Sequence, residues 1–518
     1  MPFTTLDYAI TGSTGLAFFL LYRKRSKPYS PASSLPLPPG PPRWPLIGSM
    51  LSLPDSSEPN WIWFTRWANQ TGNDIIYFRV LGSDTIVINT REAAVELLEH
   101  RWSIYSERPR MIMARDFVGW NRMLGLADYT DQTKIIRRYM HSSISTKAMP
   151  DWRPQQEQEA FRFLQKLLRS PENLIAHIRH TAGATVVRLT YGYTPKDQDD
   201  GYIKIAELAM EHFSLASTPG TFLVDVFPIL KYIPWAPFKR TGREWYNKLS
   251  ELINVPMDFV HNRMKKGLAE PCFVTKWLEE PGRESEKAMI PGTAASLYAG
   301  GADTASWISR LKLICLFKLT IQTVSAISTF FIAILHYPEA QELAQKEIDE
   351  VLGKDRLPTF ADRASLPYVE ALYKEVMRWQ PIAPIGVPHR LGMCIPANAM
   401  VISNIWYMLR DPKVHQLPET FNPSRFVGSN AEPDPEDVVF GFGRRRCPGV
   451  AVAQTSVWLS IALTLAAFNV TPLIGEDGKP VLPSLEYSNT TVTHPKPFQC
   501  NIVPRSDKIK ETIEEILL

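Results

Sequence analysis

The sequence predicts a mainly α-helical fold with a minor β region, arranged as one large catalytic domain. The chain has 518 residues, 45% of them hydrophobic and 11% aromatic, which is enough to bury a large core. No flexible linker interrupts the interior. Helical patterns dominate at Arg91–His100, Gln155–Leu168, Leu174–Leu189, Tyr202–Phe213, Arg243–Lys266 and Pro338–Leu352. Strands are expected at Ile75–Val80 and Thr85–Ile88, a hairpin around Gly82-Ser83, and again near Ala399–Ser403.

The N-terminus predicts a membrane anchor over residues 1–27. Tyr8 to Tyr22 is uncharged and largely apolar, and Arg23-Lys24-Arg25 with Lys27 follows directly. The run is short of the roughly 20 residues that span a bilayer comfortably. A secretory signal peptide is the alternative, but the charges follow the apolar run and no small-residue cleavage site stands out. The positive flank then places the remainder of the chain in the cytosol.

A proline-rich hinge is expected over residues 28–48, ahead of a catalytic domain over residues 49–518. The segment from Leu35 to Pro42 contains five prolines and should be a stiff, polyproline-like spacer.

The net charge of +4 is small for this length, so no nucleic-acid partner is implied. The five cysteines are scattered and odd in number, which argues against a disulfide framework and a zinc site.

The ten residues Phe440 to Gly449 carry the clearest chemical signal. They place Cys447 on a glycine-containing loop beside arginines and directly before an apolar helical run that starts at Val450, with Pro448 in its first turn. A helix N-terminus and neighbouring cations both lower a cysteine pKa and favour a metal-binding thiolate. A lone cysteine is otherwise most often a small buried hydrophobic residue.

Five spaced residues give this loop its resemblance: Phe440, Gly443, Arg445, Cys447 and Gly449. The set resembles the heme-binding loop of the cytochrome P450 family. The resemblance implies that Cys447 is the axial ligand of a heme b iron and that Arg445 pairs with a heme propionate. Gly449 would let the following helix approach the macrocycle, and Phe440 would belong to the same cofactor site.

The second motif is Glu375-Val376-Met377-Arg378, in which an i, i+3 spacing lets the two charges pair on one helix face. The spacing alone is uninformative, because Glu107/Arg110, Glu159/Arg162 and Glu280/Arg283 share it and most such pairs are solvated. Only Glu375/Arg378 precedes a Phe-x-Pro-x-Arg-Phe segment containing Arg425. By resemblance, Glu375, Arg378 and Arg425 form a structural network that holds the cysteine loop.

The third motif is Ala299-Gly300-Gly301-Ala302-Asp303-Thr304. A glycine-rich helix kink would explain the fragment alone. Beside the cysteine loop it resembles the oxygen-activating segment of the family's central helix, and Asp303 and Thr304 would then relay protons.

Contacts to the heme propionates are assigned only by resemblance. The family helix that usually begins Trp-Arg has Thr133 and Lys134 here, so a point charge replaces a guanidinium. Pro388-His389-Arg390 resembles another propionate-contacting strand and nominates His389. Surface solvation is the alternative for each of these cations. Three further arginines could instead face an acidic reductase: Arg137, Arg138 and Arg444.

Two departures from the family pattern bear on activity. Thr323-Val324-Ser325-Ala326 should follow Thr304 directly, yet eighteen residues, Ala305 to Gln322, intervene. As helix they would add about 27 Å of rise, which a compact fold cannot absorb. We therefore expect 305–322 to be an aberrant insertion, such as an unremoved intron. The stretch from Arg390 to Pro396 is also several residues too short.

The resemblance implies a fungal, microsomal monooxygenase that inserts one oxygen atom from O2 into an apolar small molecule, in secondary metabolism. Electrons would come from NADPH through a separate reductase, because no nicotinamide or flavin fingerprint is present. The alternatives are an O2-independent heme-thiolate isomerase or dehydratase, and an inactive membrane-anchored binding protein. A single-pass location at the endoplasmic reticulum would leave the sequons at Asn69, Asn469 and Asn489 unused.

Overall fold

The computed structural model describes residues 37–55, 58–197, 200–218, 220–301, 322–390, 399–489 and 492–516. The predicted anchor, residues 28–36 of the hinge, Asp303, Thr304 and nearly all of the expected insertion lie outside these ranges. The shortened stretch after Arg390 lies outside them as well.

The described chain is mainly helical, as the sequence predicts. The α-helices are α1 Asn60–Thr71, α2 Arg91–Ala94, α3 Trp102–Tyr105, α4 Asp131–Ile144, α5 Arg153–Arg169, α6 Leu174–Tyr191, α7 Gly201–Ser217, α8 Leu223–Val226, α9 Pro237–Lys265, α10 Phe273–Leu278, α11 Ile290–Gly301, α12 Gln322–His336, α13 Pro338–Leu352, α14 Pro367–Trp379, α15 Ile405–Met408, α16 Glu436–Val439, α17 Val450–Ala467 and α18 Asp507–Glu515. Wider π-helical turns cover Val95–His100 and Met113–Phe117. Short 3₁₀ turns lie at Met50–Ser52, Trp120–Arg122, Met149–Asp151, Pro171–Asn173, Pro228–Tyr232, Glu284–Met289, Phe360–Ser365, Pro423–Phe426 and Gly443–Arg445.

The strands form three small sheets. The strands are β1 Ile75–Val80, β2 Ser83–Ile88, β3 His389–Arg390, β4 Met400–Ser403, β5 Phe468–Thr471, β6 Leu473–Ile474, β7 Pro480–Val481 and β8 Asn501–Pro504. The largest sheet has the order β1-β2-β4-β3, with β2 and β4 parallel. The other two are the antiparallel pairs β5-β8 and β6-β7.

The predicted hairpin is confirmed, with its turn one residue earlier than expected. Val80 pairs with Ser83, so Leu81 and Gly82 are the turn residues and both have positive φ. Two consecutive left-handed residues match the twist of the strands, and the glycine adopts this conformation without strain.

Packing divides the chain into two compact units. One contains the residues up to 109 together with 387–404, and the other contains 110–386 with 405–518. The smaller unit holds the four-stranded sheet. Its two segments are separated in sequence by residues 110–386, which belong to the larger unit. Neither unit is therefore a contiguous sequence domain, which agrees with the expected single large domain, and the bounds 49–518 stay a prediction.

Two apolar cores fill the larger unit. The first is built around α5, α12, α13, α14 and α17, and it includes Trp458, Phe330 and Phe360. The second is built around α6, α7, α9, α10 and α11 with the chain from residue 112 to 126. Val450 packs against the first core, whereas Ala451 and Val452 belong to the second. The N-terminus of α17 therefore lies where the two cores meet.

Helix α17 is the one helix among the described residues that is long and apolar enough to cross a bilayer. Of its residues 78% are buried inside the protein, and it packs between the two cores. Its apolar composition therefore reflects a central core helix, which is buried on all sides.

Candidate active site

The loop before α17 is shaped by two glycines and one backbone hydrogen bond. Gly441 and Gly443 have φ values of 74° and 57°, a region that residues with a Cβ rarely adopt. The Cys447 N–H donates to the Phe440 carbonyl at 2.9 Å and closes the loop. Helix α17 begins at Val450 with Gly449 as its N-cap. Pro448 therefore precedes the helix, which corrects its expected place in the first turn.

The thiol of Cys447 is held by groups that favour its thiolate, yet its pKa is raised. Burial raises the pKa of Cys447, whereas a hydrogen bond from the Gly449 backbone and the charges of Arg137 and Arg446 lower it by less. The lowered pKa expected from the sequence is thus wrong for the protein alone, because desolvation outweighs the helix terminus and the cations. A bound metal ion deprotonates a coordinating thiol outright.

Two other described cysteines lack this arrangement. Cys500 is buried, and burial alone raises its pKa to about 12. Cys272 is also buried and caps α10, with its sulfur accepting the Thr275 N–H. In neither case does a cation lower the pKa. Cys447 therefore differs from both by the cations beside its sulfur.

Arg445 and Arg446 leave the loop in different directions. The Arg445 guanidinium is buried and donates to the carbonyls of Leu124 and Ala127 at 3.4 and 2.8 Å. Arg446 donates to the Glu436 carbonyl at 3.1 Å, and its own carbonyl accepts from Arg137 of α4 at 2.5 Å. The loop is thereby joined to α4, α16 and the chain around Leu124.

Helix α11 approaches the same stretch of chain. The Leu124 N–H donates to Ser296 Oγ at 2.9 Å, and Ser296 donates to the Gly292 carbonyl at 2.6 Å. A Cβ on Gly292 would lie 2.5 Å from the Arg122 carbonyl, so only glycine permits this approach. The chain from Arg122 to Ala127 thus bridges α11 and the arginine beside Cys447.

The residues present fit a heme held by a thiolate. Among the described residues, a Cβ on Gly300 would meet no heavy atom within 4 Å, and a Cβ on Gly449 would reach only the Cys447 sulfur, at 3.8 Å. The glycines thus leave room for a flat macrocycle at α11 and beside the thiol. Cys447 would supply the thiolate to such a heme, and the buried Arg445 guanidinium would match a propionate carboxylate.

Glu375, Arg378 and Arg425 lie together in the interior. Arg378 donates to both Glu375 carboxylate oxygens at 2.7 and 2.8 Å, and Arg425 donates to one of them at 3.2 Å. The Asn422 N–H also donates to Glu375, at 2.8 Å. Both Glu375 and Arg378 are fully buried. Their network fixes the chain from residue 409 to 425, because the arginines also donate to its carbonyls.

Glu436 is a connection that sequence reasoning missed. Its carboxylate accepts from the Tyr373 hydroxyl of α14 at 2.7 Å and makes a short contact with Gln454 of α17. Burial raises its pKa, with Tyr373 acting in the opposite direction. The acid therefore joins α14 and α17 beside the loop. In the sequence, Glu436 lies in an acidic segment with two prolines, a composition typical of an exposed turn.

A second buried acid corrects the view of the i, i+3 pairs. Glu159 is 2% exposed and accepts from Arg162 at 2.6 Å and from Arg188 of α6 at 3.1 Å. Glu280 and Arg283, 3.3 Å apart, are partly exposed as expected. No local sequence pattern indicated Arg188 as a partner, because it lies on a neighbouring helix.

The other nominated cations are placed differently from one another. His389, in β3, is buried and its Nδ1 donates to the Tyr105 carbonyl at 2.7 Å. Lys134 is exposed on α4 and pairs with Asp131 at 2.8 Å. The Asp131 carboxylate raises the pKa of Lys134, and the nearby charge of Arg444 acts in the opposite direction. Lys134 therefore belongs with the exposed cations of the surface.

These features fit one class of protein, the mainly helical heme-thiolate enzymes, in which a cysteine before a buried helix would hold the heme. Comparison with known proteins agrees, since the cytochrome P450 family model matches residues 38–319 and 320–502. The chain belongs to the cytochrome P450 family. The boundary between the matched segments falls inside the expected insertion.

Curated relatives cover nearly the whole chain. Cytochrome P450 monooxygenase 208 of Postia placenta is 38% identical over 519 residues, 97% of this chain and 96% of that protein. Cytochrome P450 monooxygenase claR of Ampulloclitocybe clavipes is 38% identical over 92% of this chain and 88% of its own. Tryptamine 4-monooxygenase of Psilocybe cyanescens is 35% identical over 92% and 94%. The chain is thus an oxidoreductase of the monooxygenase type, and its family implies heme.

Proposed function

We propose that this monooxygenase inserts one oxygen atom from O2 into an apolar small molecule of fungal secondary metabolism. The observation that carries the proposal is Cys447, whose sulfur lies beside two arginines and a helix N-terminus, whereas no cation lowers the pKa of Cys272 or Cys500. When bound, heme supplies the oxygen-activating chemistry, which a thiolate ligand favours. The names of the relatives support the reaction class.

The chain's own residues have three kinds of role in this proposal: they deliver protons, bind the propionates and position the cysteine loop. Asp303 and Thr304 deliver protons to the reacting oxygen and lie outside the described residues. Arg445 and His389 bind the propionates. Because the Nδ1 hydrogen of His389 is committed to Tyr105, its Nε2 donates to a propionate only when the ring is protonated. Lys134 would have to leave Asp131 to take part, which makes it the weakest of the three.

The Glu375, Arg378 and Arg425 network positions the cysteine loop in this proposal. It fixes the chain up to residue 425, and the Lys374–Asp434 pair at 2.7 Å continues the attachment of α14 to the next turn. Glu436 then completes the connection to α17. The network acts by holding a shape, since a buried ion pair contributes little net stability but is costly to break.

Electrons come from NADPH through a separate reductase in this proposal. Exposed cations lie on and beside the loop, including Arg444 and, on α4, Arg138, whose partner Glu286 is 3.2 Å away. Arg137 is turned inward to the Arg446 carbonyl and is less suited to docking. An acidic reductase surface would complement the exposed cations. The predicted N-terminal anchor would hold both proteins at the endoplasmic reticulum membrane, with this chain facing the cytosol.

The reaction is tested with the full chain in vesicles with a fungal NADPH–cytochrome P450 reductase and isotopically labelled O2. An extract of apolar metabolites from the native host serves as the substrate pool. We expect a product that carries one labelled oxygen and requires both NADPH and the reductase. A product that forms without O2 and NADPH would instead identify an isomerase or dehydratase. Heme binding without any turnover would identify a binding protein.

A further inference from the structure

Arg425 has a second carboxylate partner besides Glu375. Its guanidinium donates to Glu432 at 2.8 Å, and the Glu432 N–H donates to the Arg425 carbonyl at 2.8 Å. The same carboxylate accepts the Gln416 N–H at 3.1 Å. Glu432 therefore attaches the chain that leads to the cysteine loop to the segment that Glu375 and Arg378 hold.

A buried histidine donates a further hydrogen bond to Glu432. His415 Nδ1 lies 2.7 Å from Glu432 Oε2, whereas Arg425 and Gln416 donate to the other oxygen, Oε1. The side chain of His415 is 3% exposed and that of Glu432 is 14% exposed. Because a carboxylate only accepts hydrogen bonds, the proton of the neutral imidazole lies on Nδ1. His415 thus fixes the orientation of this carboxylate on Arg425.

The charges around His415 balance only while its imidazole is neutral. Two arginines and two carboxylates meet in this network: Arg378, Arg425, Glu375 and Glu432. Arg378 acts on the imidazole from α14, Arg425 from its 3₁₀ turn and Glu432 from the chain that follows. A proton on the imidazole would add a buried positive charge beside both arginines, with no further acid to pair with it in this network.

The neutral imidazole is also the favoured form at pH 7. Burial and the charges of Arg378 and Arg425 lower the pKa of His415, and Glu432 acts in the opposite direction by its hydrogen bond and its charge. A depressed pKa means that the stabilising contribution of His415 is present above the ordinary value of 6.5 and is lost as the pH falls.

We propose that His415 is a positioning residue whose neutral imidazole holds Glu432 on Arg425 and thereby keeps the cysteine loop in place. In mildly acidic solution the imidazole gains a proton, the buried charges no longer balance, and the loop releases its cofactor. This inference rests on the heme site proposed above and adds an acidic limit to it.

The rate of heme transfer to excess apomyoglobin measures how firmly the full, heme-loaded chain holds its cofactor. The rate is compared between pH 7.5 and 5.5. His415→Asn places an amide N–H near the position of Nδ1 and gains no proton in this range, whereas His415→Phe keeps a ring without a donor. The matched control is His261→Asn, at an exposed position of α9.

The pH dependence of the rate distinguishes hydrogen bonding from packing. We expect heme loss from the parent and from His261→Asn to accelerate several-fold as the pH falls to 5.5. His415→Asn should match the parent at pH 7.5 and show a much flatter profile. His415→Phe should lose heme several-fold faster than the parent at pH 7.5 already, because one oxygen of Glu432 then lacks its donor.

The outcomes separate this inference from the heme site itself. If the reduced, CO-bound parent shows a thiolate spectrum but His415→Asn keeps the parent's pH profile, the role of His415 is refuted and the heme site stands. Firm heme binding by His415→Phe together with rapid loss from His415→Asn would assign the residue to packing and would also overturn the inference. A parent without a thiolate spectrum would refute both proposals.

Hydrogen exchange in the parent gives a second measure that needs no variant. After correction for the intrinsic exchange rate, protection of residues 409–436 should fall between pH 7.5 and 5.5, while protection of α13 stays the same. Equal protection of residues 409–436 at the two pH values would contradict the inference.

Discussion

Two opposing effects act on the pKa of the Cys447 thiol. Burial raises the pKa of its thiol above the ordinary value, although Gly449, Arg137 and Arg446 all act to lower it. The loop thus prepares the positive surroundings of a thiolate while the protein alone keeps the thiol protonated. Heme binding should release a proton from this residue.

Loss of the Glu375 carboxylate should release the chain that precedes the cysteine loop. Glu375→Gln leaves the buried Arg378 without its carboxylate partner, whereas Arg425 keeps Glu432 at 2.8 Å. Breaking a buried ion pair in this way typically costs about 3–5 kcal/mol. We expect a clear fall in the thermal midpoint and loss of heme on purification, measured by calorimetry and the heme-to-protein ratio. The matched control is Glu280→Gln, whose partner Arg283 is partly exposed. Equal stability of the two variants would show that the network is not needed to hold the loop.

At the residue scale, sequence motifs identified individual side chains more reliably than the residues with which those side chains pair. Glu375 and Arg378 share one helix, so their pairing follows from spacing. Glu436 and Tyr373 are 63 residues apart, and Glu159 and Arg188 lie on different helices. No local pattern encodes such contacts, because they depend on how helices pack.

At the element scale, the first and last residues of a helix were predictable wherever its sequence contains start and stop signals. Pro338 and Gly353 bracket α13, and its bounds match the prediction. Helix α9 begins six residues before the predicted start, because Pro237 is its first residue, and it continues through the internal Pro256. Tertiary packing of Met257 and Val260 keeps that helix intact.

The contact between α7 and α9 should make the protein sensitive to acid. His212 stacks on Trp245 with ring centroids 4.7 Å apart, and burial with the charge of Lys248 lowers its pKa to about 4. A depressed pKa favours folding above the ordinary value of 6.5, and this contribution is lost as the pH falls toward 4. The full pKa shift corresponds to a stability contribution of about 3 kcal/mol. Solvent screening at the partly exposed ring reduces this contribution to roughly 1 kcal/mol.

Thermal unfolding between pH 7 and 4.5 measures this contribution. We expect His212→Phe to lose less of its midpoint temperature over this range than the parent. The control His261→Phe, at an exposed position of α9, should follow the parent. Parallel pH profiles for the parent and His212→Phe would exclude the histidine as a source of acid sensitivity.

Removal of residues 305–322 should increase heme incorporation. The deletion places Thr323 directly after Thr304, as in the family pattern. The sequence of α11 then leads into that of α12 without the roughly 27 Å that eighteen additional helical residues would add. The heme-to-protein ratio of the two chains after matched expression measures the effect. If the deleted chain takes up no more heme than the parent, the segment is a tolerated part of the protein.

Within the deleted chain, Thr304→Ala should uncouple the reaction. We expect retained heme and substrate binding but less product per NADPH, with peroxide released instead, because in the proposed function the hydroxyl delivers a proton during oxygen activation. Product and peroxide are measured against NADPH consumed. Unchanged coupling would place the proton relay at other residues.

At the scale of the whole molecule, the family and fold class followed from sequence, whereas the division into units did not. The chain returns to the smaller unit at 387–404 through strands β3 and β4, and β4 pairs with the distant β2. The exposure of Ile229 and Trp235 was equally unpredictable, because it depends on which side of their segment the core covers.

The most direct test of the heme-thiolate assignment is the spectrum of the reduced, CO-bound protein. The parent should show the red-shifted Soret band of a thiolate ligand, and Cys447→Ser should lose it even where some heme is retained. Cys272→Ser and Cys500→Ser should keep the band, because both residues are buried away from any cation. A normal thiolate spectrum in Cys447→Ser would contradict the assignment of this residue as the iron ligand.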